Sequence, residues 1–193
     1  RLDVTKQDQI DAAVAMVKEK GTGLYALVNN AGIFGGGAVL ETELEEQTIV
    51  YKVNVEGVYR ITKAFAPLVI ESRGRITTTG SVAGTITTAS FNGYSGSKHW
   101  IEAVTDGLAQ EMSSTGVAVS VVEPGNYQSH IRRNTVLRAF AKVKAAGGEV
   151  TDEMQKQYEQ TAAYELTLTK PDAVVEAFMH PLFDENPHRR YMV

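Results

Sequence analysis

The feature that most constrains the fold of this chain is the alternation of short strand-like runs with long helical patterns. Leu24 to Val28, Arg75 to Thr79 and Val117 to Val122 are compact runs of apolar and β-branched residues, which are typical of buried strands. Helical periodicity fills the intervals, most clearly over Glu43 to Ile70, where we expect Pro67 to bend or end the helix, and over Asn92 to Ser114. A further helix is predicted to open at Pro171 and Asp172. Strands separated by helices predict an α/β fold with a doubly wound parallel sheet.

Length and composition fit one domain of this kind. The chain has 193 residues, of which 43% are hydrophobic and 22% are charged, the balance of a globular domain with its own core. We therefore expect a single domain over residues 1–193, with an insertion over 126–170 that covers the sheet edge as a lid. The chain opens with Arg1 and its first residues read like the end of a strand, so we expect a longer protein with an additional N-terminal part.

Charge and residue usage exclude several classes of partner. The chain has 19 Lys and Arg against 23 Asp and Glu, a net charge of −4, so we expect no general attraction to nucleic acid. Cysteine is absent, which excludes thiolate chemistry and disulfides. The four histidines lack the spacing of a metal site, and we expect no metal. No apolar run has the length of a membrane span, so we expect no membrane partner and a cytoplasmic location.

Turn-forming and polar residues follow each predicted strand. Asn29 to Gly32 follow the first run, Gly80 and Ser81 follow the second, and Pro124 and Gly125 follow the third. In a parallel sheet, ligands bind at the carboxyl ends of the strands. We therefore expect the functional site at this edge of the sheet.

Two Tyr-x-x-x-Lys pairs occur in predicted helices, Tyr59 with Lys63 and Tyr94 with Lys98. Residues four apart share one face of a helix, but an isolated match is more often a surface tyrosine beside a solvated lysine. Ser81 distinguishes the second pair from the first, because it lies at a predicted strand end thirteen residues before Tyr94. No strand end lies at that offset before Tyr59.

A serine, a tyrosine and a lysine brought together suit proton transfer to or from an alcohol or carbonyl oxygen. A free phenol has a pKa of about 10, too high for a base at neutral pH. A nearby ammonium favours the phenolate and lowers this pKa by roughly one to three units. We therefore expect Lys98 to lower the pKa of Tyr94, and Ser81 to hold the substrate oxygen by a hydrogen bond.

Several short motifs together resemble those of the short-chain dehydrogenase/reductase family. In chain order they are Asn29-Asn30-Ala31-Gly32, Asn54-Val55-Glu56-Gly57, Gly80-Ser81, Tyr94-x-x-x-Lys98 and Pro124-Gly125. The resemblance implies a Rossmann-like fold and an NAD(P)-dependent oxidoreductase that interconverts an alcohol and a carbonyl. The family's glycine-rich phosphate turn, with the first strands that carry it, has no counterpart here and is expected upstream of Asp3.

The resemblance also implies a role for each matching residue. Tyr94 is the acid/base and Ser81 anchors the substrate oxygen, while Lys98 lowers the tyrosine pKa and binds the nicotinamide ribose. Asn54 holds a water that links the lysine to solvent. The implied cofactor-binding residues are Asp3 and Val4 at the adenine, Asn29, Ala31 and Gly32 in a close turn, Tyr94 and Lys98 at the ribose, and Pro124, Gly125 and Ser129 at the nicotinamide.

The same resemblance bears on cofactor, substrate and assembly. The cofactor is NADP or NAD, since the residues that choose between them are expected upstream of Arg1. Glu123-Pro124-Gly125 and Arg189-Arg190-Tyr191 resemble retinol and hydroxysteroid dehydrogenase relatives, which implies a small hydrophobic alcohol or ketone as substrate. Family members usually pair through their two long helices, which implies a homodimer or homotetramer.

Other interpretations remain open at this point. The chain could be a non-catalytic binding or scaffold protein that keeps the fold and has lost the nucleotide, or a related epimerase or dehydratase. The stretch from Asn126 to Gly148 is basic and has no acidic residue before Glu149. It is either the solvated face of a lid helix or a contact for a membrane surface or an acidic substrate. Phe34, Tyr127 and Tyr164 are candidates for an apolar substrate pocket.

Overall fold

The computed structural model describes every residue of the chain, 1–193. Four strands form one parallel sheet in the order β1-β2-β3-β4, and helices flank it, which confirms the predicted α/β architecture. The strands are β1 Ala26–Asn29, β2 Arg75–Thr79, β3 Ala118–Glu123 and β4 Arg190–Met192. The helices are α1 Gln7–Lys20, α2 Leu44–Tyr51, α3 Val58–Glu71, α4 Asn92–Glu111, α5 Ile131–Ala145, α6 Asp152–Thr167 and α7 Asp172–Phe183.

The core lies between the sheet and helices α1, α3 and α4. One apolar cluster joins Val69 of α3 to Ile76 of β2 and Val119 of β3. A second joins Ile10 of α1 to Phe65 of α3. Each side chain of this size stabilises the fold by about 1.5–3 kcal/mol when it is fully buried. These contacts pack the helices against β1, β2 and β3, and the carboxyl ends of these parallel strands meet at one edge of the sheet.

The long helix predicted over Glu43 to Ile70 is continuous but not uniform. A π-helical segment, Lys52–Gly57, separates α2 from α3, and such segments are frequent at functional sites. Pro67 was expected to bend or end the helix, yet α3 continues past it to Glu71. Because Pro67 and Lys63 are both exposed, water can satisfy the Lys63 carbonyl that loses its intrahelical partner.

Two further segments differ from the sequence-based expectation or refine it. Leu2 to Val4 forms no strand, so the expectation that these residues end a strand is not met in this structure. β1 pairs only with β2, so its other edge is open. The stretch 126–170 contains α5 and α6, which pack against each other. None of the helices combines the length and the apolar character needed to cross a membrane.

Candidate active site

Ser81, Tyr94 and Lys98 line a single cavity of about 490 Å³ at the carboxyl ends of the central strands. Ser81 is buried and lies two residues beyond the end of β2. Its hydroxyl accepts a hydrogen bond from the Ala83 N–H at 3.1 Å and donates one to the Pro124 carbonyl at 3.4 Å. These bonds fix the serine between the ends of β2 and β3, facing the helix that carries Tyr94.

Glycine precedes this serine because no side chain fits at that position. A Cβ at Gly80 would lie 2.6 Å from the Val121 side chain, well inside van der Waals contact. The turn after β2 therefore brings its backbone directly against β3.

Lys98 contributes an ammonium group that is almost wholly removed from solvent, with 5% of the residue exposed. Its Nζ donates a hydrogen bond to the Thr79 carbonyl at 2.7 Å. An ammonium has three N–H donors, so two remain available to a ligand in the cavity. Burial lowers the pKa of Lys98 to about 8, and the negative charge of Glu102 opposes that shift.

The pKa of Tyr94 shifts in the direction opposite to the sequence-based expectation. Burial raises it, while the Ser81 hydroxyl and the positive charge of Arg132 oppose the rise. The Lys98 ammonium lies 5.6 Å from the centre of the Tyr94 ring and donates a hydrogen bond to the Thr79 carbonyl. Its charge therefore does not outweigh the effect of burial on the Tyr94 pKa. The phenol is therefore protonated at neutral pH.

Asn54 lies in the π-helical segment and is 1% exposed. Its Nδ2 donates hydrogen bonds to the Ile33 carbonyl and the Ser97 hydroxyl, both at 3.0 Å. Its Oδ1 accepts one from the Ile33 N–H at 2.8 Å. The side chain therefore joins the loop after β1 to α4, and its implied water-binding role stays a prediction.

The implied cofactor residues divide between two cavities. Gly32, Tyr94, Lys98, Pro124, Gly125 and Ser129 line the large cavity. Val4, Asn29 and Ala31 line a smaller one of about 270 Å³ beside the open edge of β1. Asn30 lines both, so the two cavities meet at this residue.

Asp3 is the implied cofactor residue that lines neither cavity. Its carboxylate accepts hydrogen bonds from the Thr5 N–H at 2.9 Å and the Thr5 hydroxyl at 2.7 Å. These bonds lower the pKa of Asp3. The Asp3 carboxylate is therefore hydrogen-bonded within the local turn, although the resemblance assigns it to the adenine of the cofactor.

The aromatic residues expected in the pocket behave differently from one another. Phe34 and Tyr127 line the large cavity, and the Phe34 ring lies 5.1 Å from that of Tyr94. Tyr164 does not line it. Its hydroxyl instead accepts a hydrogen bond from Asn126 at 3.0 Å, and its ring lies beneath the Arg132 guanidinium.

Sequence reasoning missed a buried carboxylate that organises the helices over the cavity. Glu165 of α6 is 1% exposed. Its Oε1 accepts hydrogen bonds from the N–H groups of Arg132 at 3.0 Å and Arg133 at 3.1 Å, while its Oε2 pairs with the Arg133 Nε at 2.8 Å. Glu165 therefore satisfies free N–H groups in the first turn of α5. A lone glutamate in a helical pattern carries no signal for this role.

The loop after β1 is also attached to α5. The hydroxyl of Thr135 donates a hydrogen bond to the Phe34 carbonyl at 2.8 Å, and the Arg138 guanidinium donates another to the same oxygen. Arg132 and Arg138 belong to the basic stretch, and both line the cavity. The basic composition was the signal for them, but it did not distinguish these two from their neighbours.

The parallel sheet and the ligand cavity at its carboxyl edge define an α/β protein of the Rossmann type. The family model for short chain dehydrogenases matches residues 1–139, and the chain belongs to that family. The resemblance drawn from the motifs is thereby confirmed.

Curated relatives extend this assignment. The chain is 31% identical to the mitochondrial D-beta-hydroxybutyrate dehydrogenase of Bos taurus, covering 99% of this chain and 60% of the relative. It is 34% identical to the human 17-beta-hydroxysteroid dehydrogenase type 6, covering 98% of this chain and 63% of that protein. The chain thus spans about 60% of the length of these relatives.

Solved structures agree on the fold. A short-chain dehydrogenase from Streptomyces avermitilis is 27% identical, with a TM-score of 0.75 over 99% of this chain and 68% of that one. A short chain dehydrogenase from Burkholderia cenocepacia in complex with NADP is 31% identical, with a TM-score of 0.61 over 70% of this chain and 59% of that one.

Proposed function

We propose that the protein is an NAD(P)-dependent oxidoreductase that interconverts an alcohol and a carbonyl, with Tyr94 as the acid/base. The observation that carries the proposal is the shared cavity of Ser81, Tyr94 and Lys98, which come from a strand end and a separate helix. Membership of the family and the dehydrogenase names of the two relatives support the same activity.

The protonation states in the cavity assign a role to each group. Tyr94 is a neutral phenol at neutral pH, so it donates its proton to a carbonyl oxygen when the substrate is reduced. Ser81 donates its one O–H to the same oxygen in place of the 3.4 Å bond to the Pro124 carbonyl, and this stabilises the charge that develops there. In the oxidation direction Tyr94 must lose its proton, and the positive charges of Lys98 and Arg132 favour the phenolate that results.

The chemistry of the cavity fits a nicotinamide cofactor, either NADP or NAD. The buried Lys98 ammonium lies 5.6 Å from the centre of the Tyr94 ring and keeps two N–H donors, which suits binding of a ribose diol. Gly32 leaves backbone close to these groups, since a Cβ there would lie 4.0 Å from the Lys98 Nζ. When bound, the cofactor supplies or accepts the hydride. The residues that would hold it are the implied set, Val4, Asn29, Ala31, Gly32, Tyr94, Lys98, Pro124, Gly125 and Ser129.

A hydrophobic substrate is supported by the apolar part of the cavity wall. Phe34 and Phe91 pack edge to face at 5.1 Å, and Phe34 also lies 5.1 Å from Tyr94. Ile131, in the first turn of α5, lines the same cavity. Apolar surface of this extent favours an alkyl or ring substituent on the alcohol or ketone.

Calorimetry and turnover together test the proposed function. The full-length protein is titrated with NADP⁺ and NAD⁺, and turnover of steroids, retinoids and simple ketones is followed at the nicotinamide absorbance. We expect binding of at least one cofactor and turnover of a hydrophobic member of the panel. Cofactor binding without any turnover would favour the non-catalytic interpretation, and absence of both would contradict the proposal.

We also propose that residues 126–170 act as a lid within a single domain. The support is the attachment of α5 to the Phe34 carbonyl through Thr135 and Arg138, together with Glu165 at the first turn of α5. Hydrogen exchange tests this proposal: α5 and α6 should gain protection when cofactor and substrate bind, while β2 should not change.

We also propose an oligomeric state and a cellular location for the protein. A homodimer or homotetramer through the helical segment Glu43 to Ile70, which contains α2 and α3, and through α4 is supported by exposed apolar side chains on that segment, among them Tyr51 and Tyr59. Light scattering of the full-length protein tests this. We keep the cytoplasm as the proposed location, and cell fractionation tests it, since the relative from Bos taurus is named as mitochondrial.

A further inference from the structure

The large cavity carries an excess of positive charge. Lys98, His130, Arg132 and Arg138 line it, and no Asp or Glu does. Two of these cations are already engaged, because Lys98 donates to the Thr79 carbonyl and Arg138 donates to the Phe34 carbonyl. Arg132 is the arginine of this set whose side chain has no hydrogen-bond or ion-pair partner.

The Arg132 guanidinium makes no hydrogen bond or ion pair, although its backbone position is fixed. It lies 5.9 Å from the centre of the Phe34 ring and 5.6 Å from that of Tyr164, while its N–H is held by Glu165 at 3.0 Å. The adjacent Arg133 takes the other oxygen of Glu165. The Glu165 carboxylate therefore pairs with the guanidinium of Arg133. The guanidinium N–H groups of Arg132 remain free, although the residue is held in place.

This free guanidinium lies next to the reacting groups. The Phe34 ring contacts both groups. Its centre lies 5.1 Å from the centre of the Tyr94 ring and 5.9 Å from the Arg132 guanidinium. The charge of Arg132 also acts on the Tyr94 phenol. The Phe34 ring therefore offers an apolar surface between the position of a substrate oxygen at Tyr94 and the Arg132 guanidinium.

We propose that the substrate is a hydroxy acid or keto acid with an apolar chain, and that Arg132 binds its carboxylate while Tyr94 serves its alcohol or carbonyl oxygen. This inference rests on the proposed function and narrows its substrate class. A guanidinium pairs with a carboxylate through two parallel, charge-assisted hydrogen bonds, which are stronger than hydrogen bonds between neutral groups. The apolar wall then contacts the carbon chain, and the carboxylate is unchanged by the redox step.

Matched substrates and variants test the inference in the full-length protein. The probes are medium-chain β-keto acids and α-keto acids, each compared with its methyl ester. The variants are Arg132→Met, which keeps an unbranched side chain over the rings, and Arg132→Lys, which keeps the charge. Lys144→Met is the control, because Lys144 is an exposed cation in the last turn of the same helix.

We expect the wild-type protein to prefer an acid over its ester, and Arg132→Met to lower kcat/KM for the acid by on the order of 100-fold. The ester should lose at least about tenfold less than the acid, because loss of the Arg132 charge affects Tyr94 with either substrate, whereas only the acid also loses its carboxylate partner. Arg132→Lys should recover part of the loss, and Lys144→Met should behave as wild type. Equal losses for acid and ester in Arg132→Met would overturn the inference. A rise in KM confined to NADP or NAD would also overturn it, because the arginine would then serve a cofactor phosphate.

A binding measurement separates this inference from the proposed function. Calorimetric titration with octanoate in the presence of cofactor should show binding to wild type and Lys144→Met, and at least tenfold weaker binding to Arg132→Met. Octanoamide should bind all three alike. If no keto acid or ketone is turned over, the proposed function fails. If octanoate binds wild type and Arg132→Met equally, the inference fails whether or not the enzyme is active.

Discussion

The two Tyr-x-x-x-Lys pairs of this chain have almost the same local geometry and very different surroundings. The Lys63 Nζ lies 5.9 Å from the Tyr59 ring centre, and the Lys98 Nζ lies 5.6 Å from that of Tyr94. Tyr59, the tyrosine of the first pair, is 56% exposed, whereas Lys98, the lysine of the second pair, is 5% exposed. The pair on α3 is solvated, while the pair on α4 lies in the cavity with Ser81. Helical spacing brings a phenol and an ammonium together, but the tertiary structure decides whether the pair is exposed to solvent or buried in a cavity.

The largest expected contrast comes from removing each phenol hydroxyl. Tyr94→Phe should lower kcat by about 10²- to 10⁴-fold, because the variant has no group to exchange a proton with the substrate oxygen. Tyr59→Phe should change kcat by less than about twofold. Steady-state kinetics checks both, and matching thermal unfolding curves show that the fold is intact. Near-normal turnover by Tyr94→Phe would contradict the role of this residue.

The second contrast uses the two lysines and measures cofactor affinity. Lys98→Met should weaken binding of the nicotinamide cofactor by at least about tenfold, since it removes the free N–H donors in the cavity. Lys63→Met should bind the cofactor as wild type does. Calorimetric titration of both variants checks this. Equal affinity in Lys98→Met and Lys63→Met would show that the buried ammonium does not hold the cofactor.

The same two variants give a prediction for stability against pH. Burial lowers the pKa of Lys98 from 10.5 to about 8, so between these values the unfolded chain binds more protons than the folded one. Stability contributed at this site therefore rises with pH across that window. Below pH 8 the buried charge costs up to about 3 kcal/mol, which Lys98→Met removes.

Urea unfolding at several pH values measures this effect. The free energy of unfolding of Lys98→Met should exceed that of wild type most at neutral pH, and the difference should shrink as the pH approaches 10.5. Lys63→Met should show no such pH-dependent difference. A constant difference between wild type and Lys98→Met would mean that the lysine is not desolvated as the structure indicates.

The smallest expected effect concerns the carboxylate one turn beyond Lys98. Glu102 raises the pKa of Lys98 and pairs with Arg190 at 3.0 Å. Glu102→Gln should therefore move the pKa of Lys98 to a lower value, which an NMR titration of labelled lysine detects. Asp106→Asn is the control, since Asp106 pairs with Arg190 at 2.8 Å but does not act on Lys98. An unchanged titration in Glu102→Gln would contradict this coupling.

Much of the fold follows from local periodicity. The predicted strand from Arg75 to Thr79 is found with the same bounds, and the helix predicted to open at Pro171 and Asp172 begins at Asp172. Burial on one face of a helix or both faces of a strand is written into the spacing of apolar residues. Pro67 was the exception, because the exposure of its helix face is a property of packing and not of local sequence.

The candidate site was predictable to the extent that a motif specifies it. Ser81, Tyr94 and Lys98 were expected together, and they line one cavity. Arg132 and Arg133 show the limit of such reasoning. They are identical neighbours in a basic stretch, yet one pairs with Glu165 and the other faces the cavity. Only the packing of α6 against α5 separates them.

By itself, the sequence determined the order of strands and helices, the edge of the sheet that carries the site and the residues that share a helix face, since all of these depend on short-range spacing. The tertiary structure alone decided the direction of the Tyr94 pKa, the hydrogen bonds of Asn54 and the freedom of the Arg132 guanidinium. Those properties depend on how much water is excluded and on which distant groups are within hydrogen-bonding reach, and both are set only when the helices pack around the sheet.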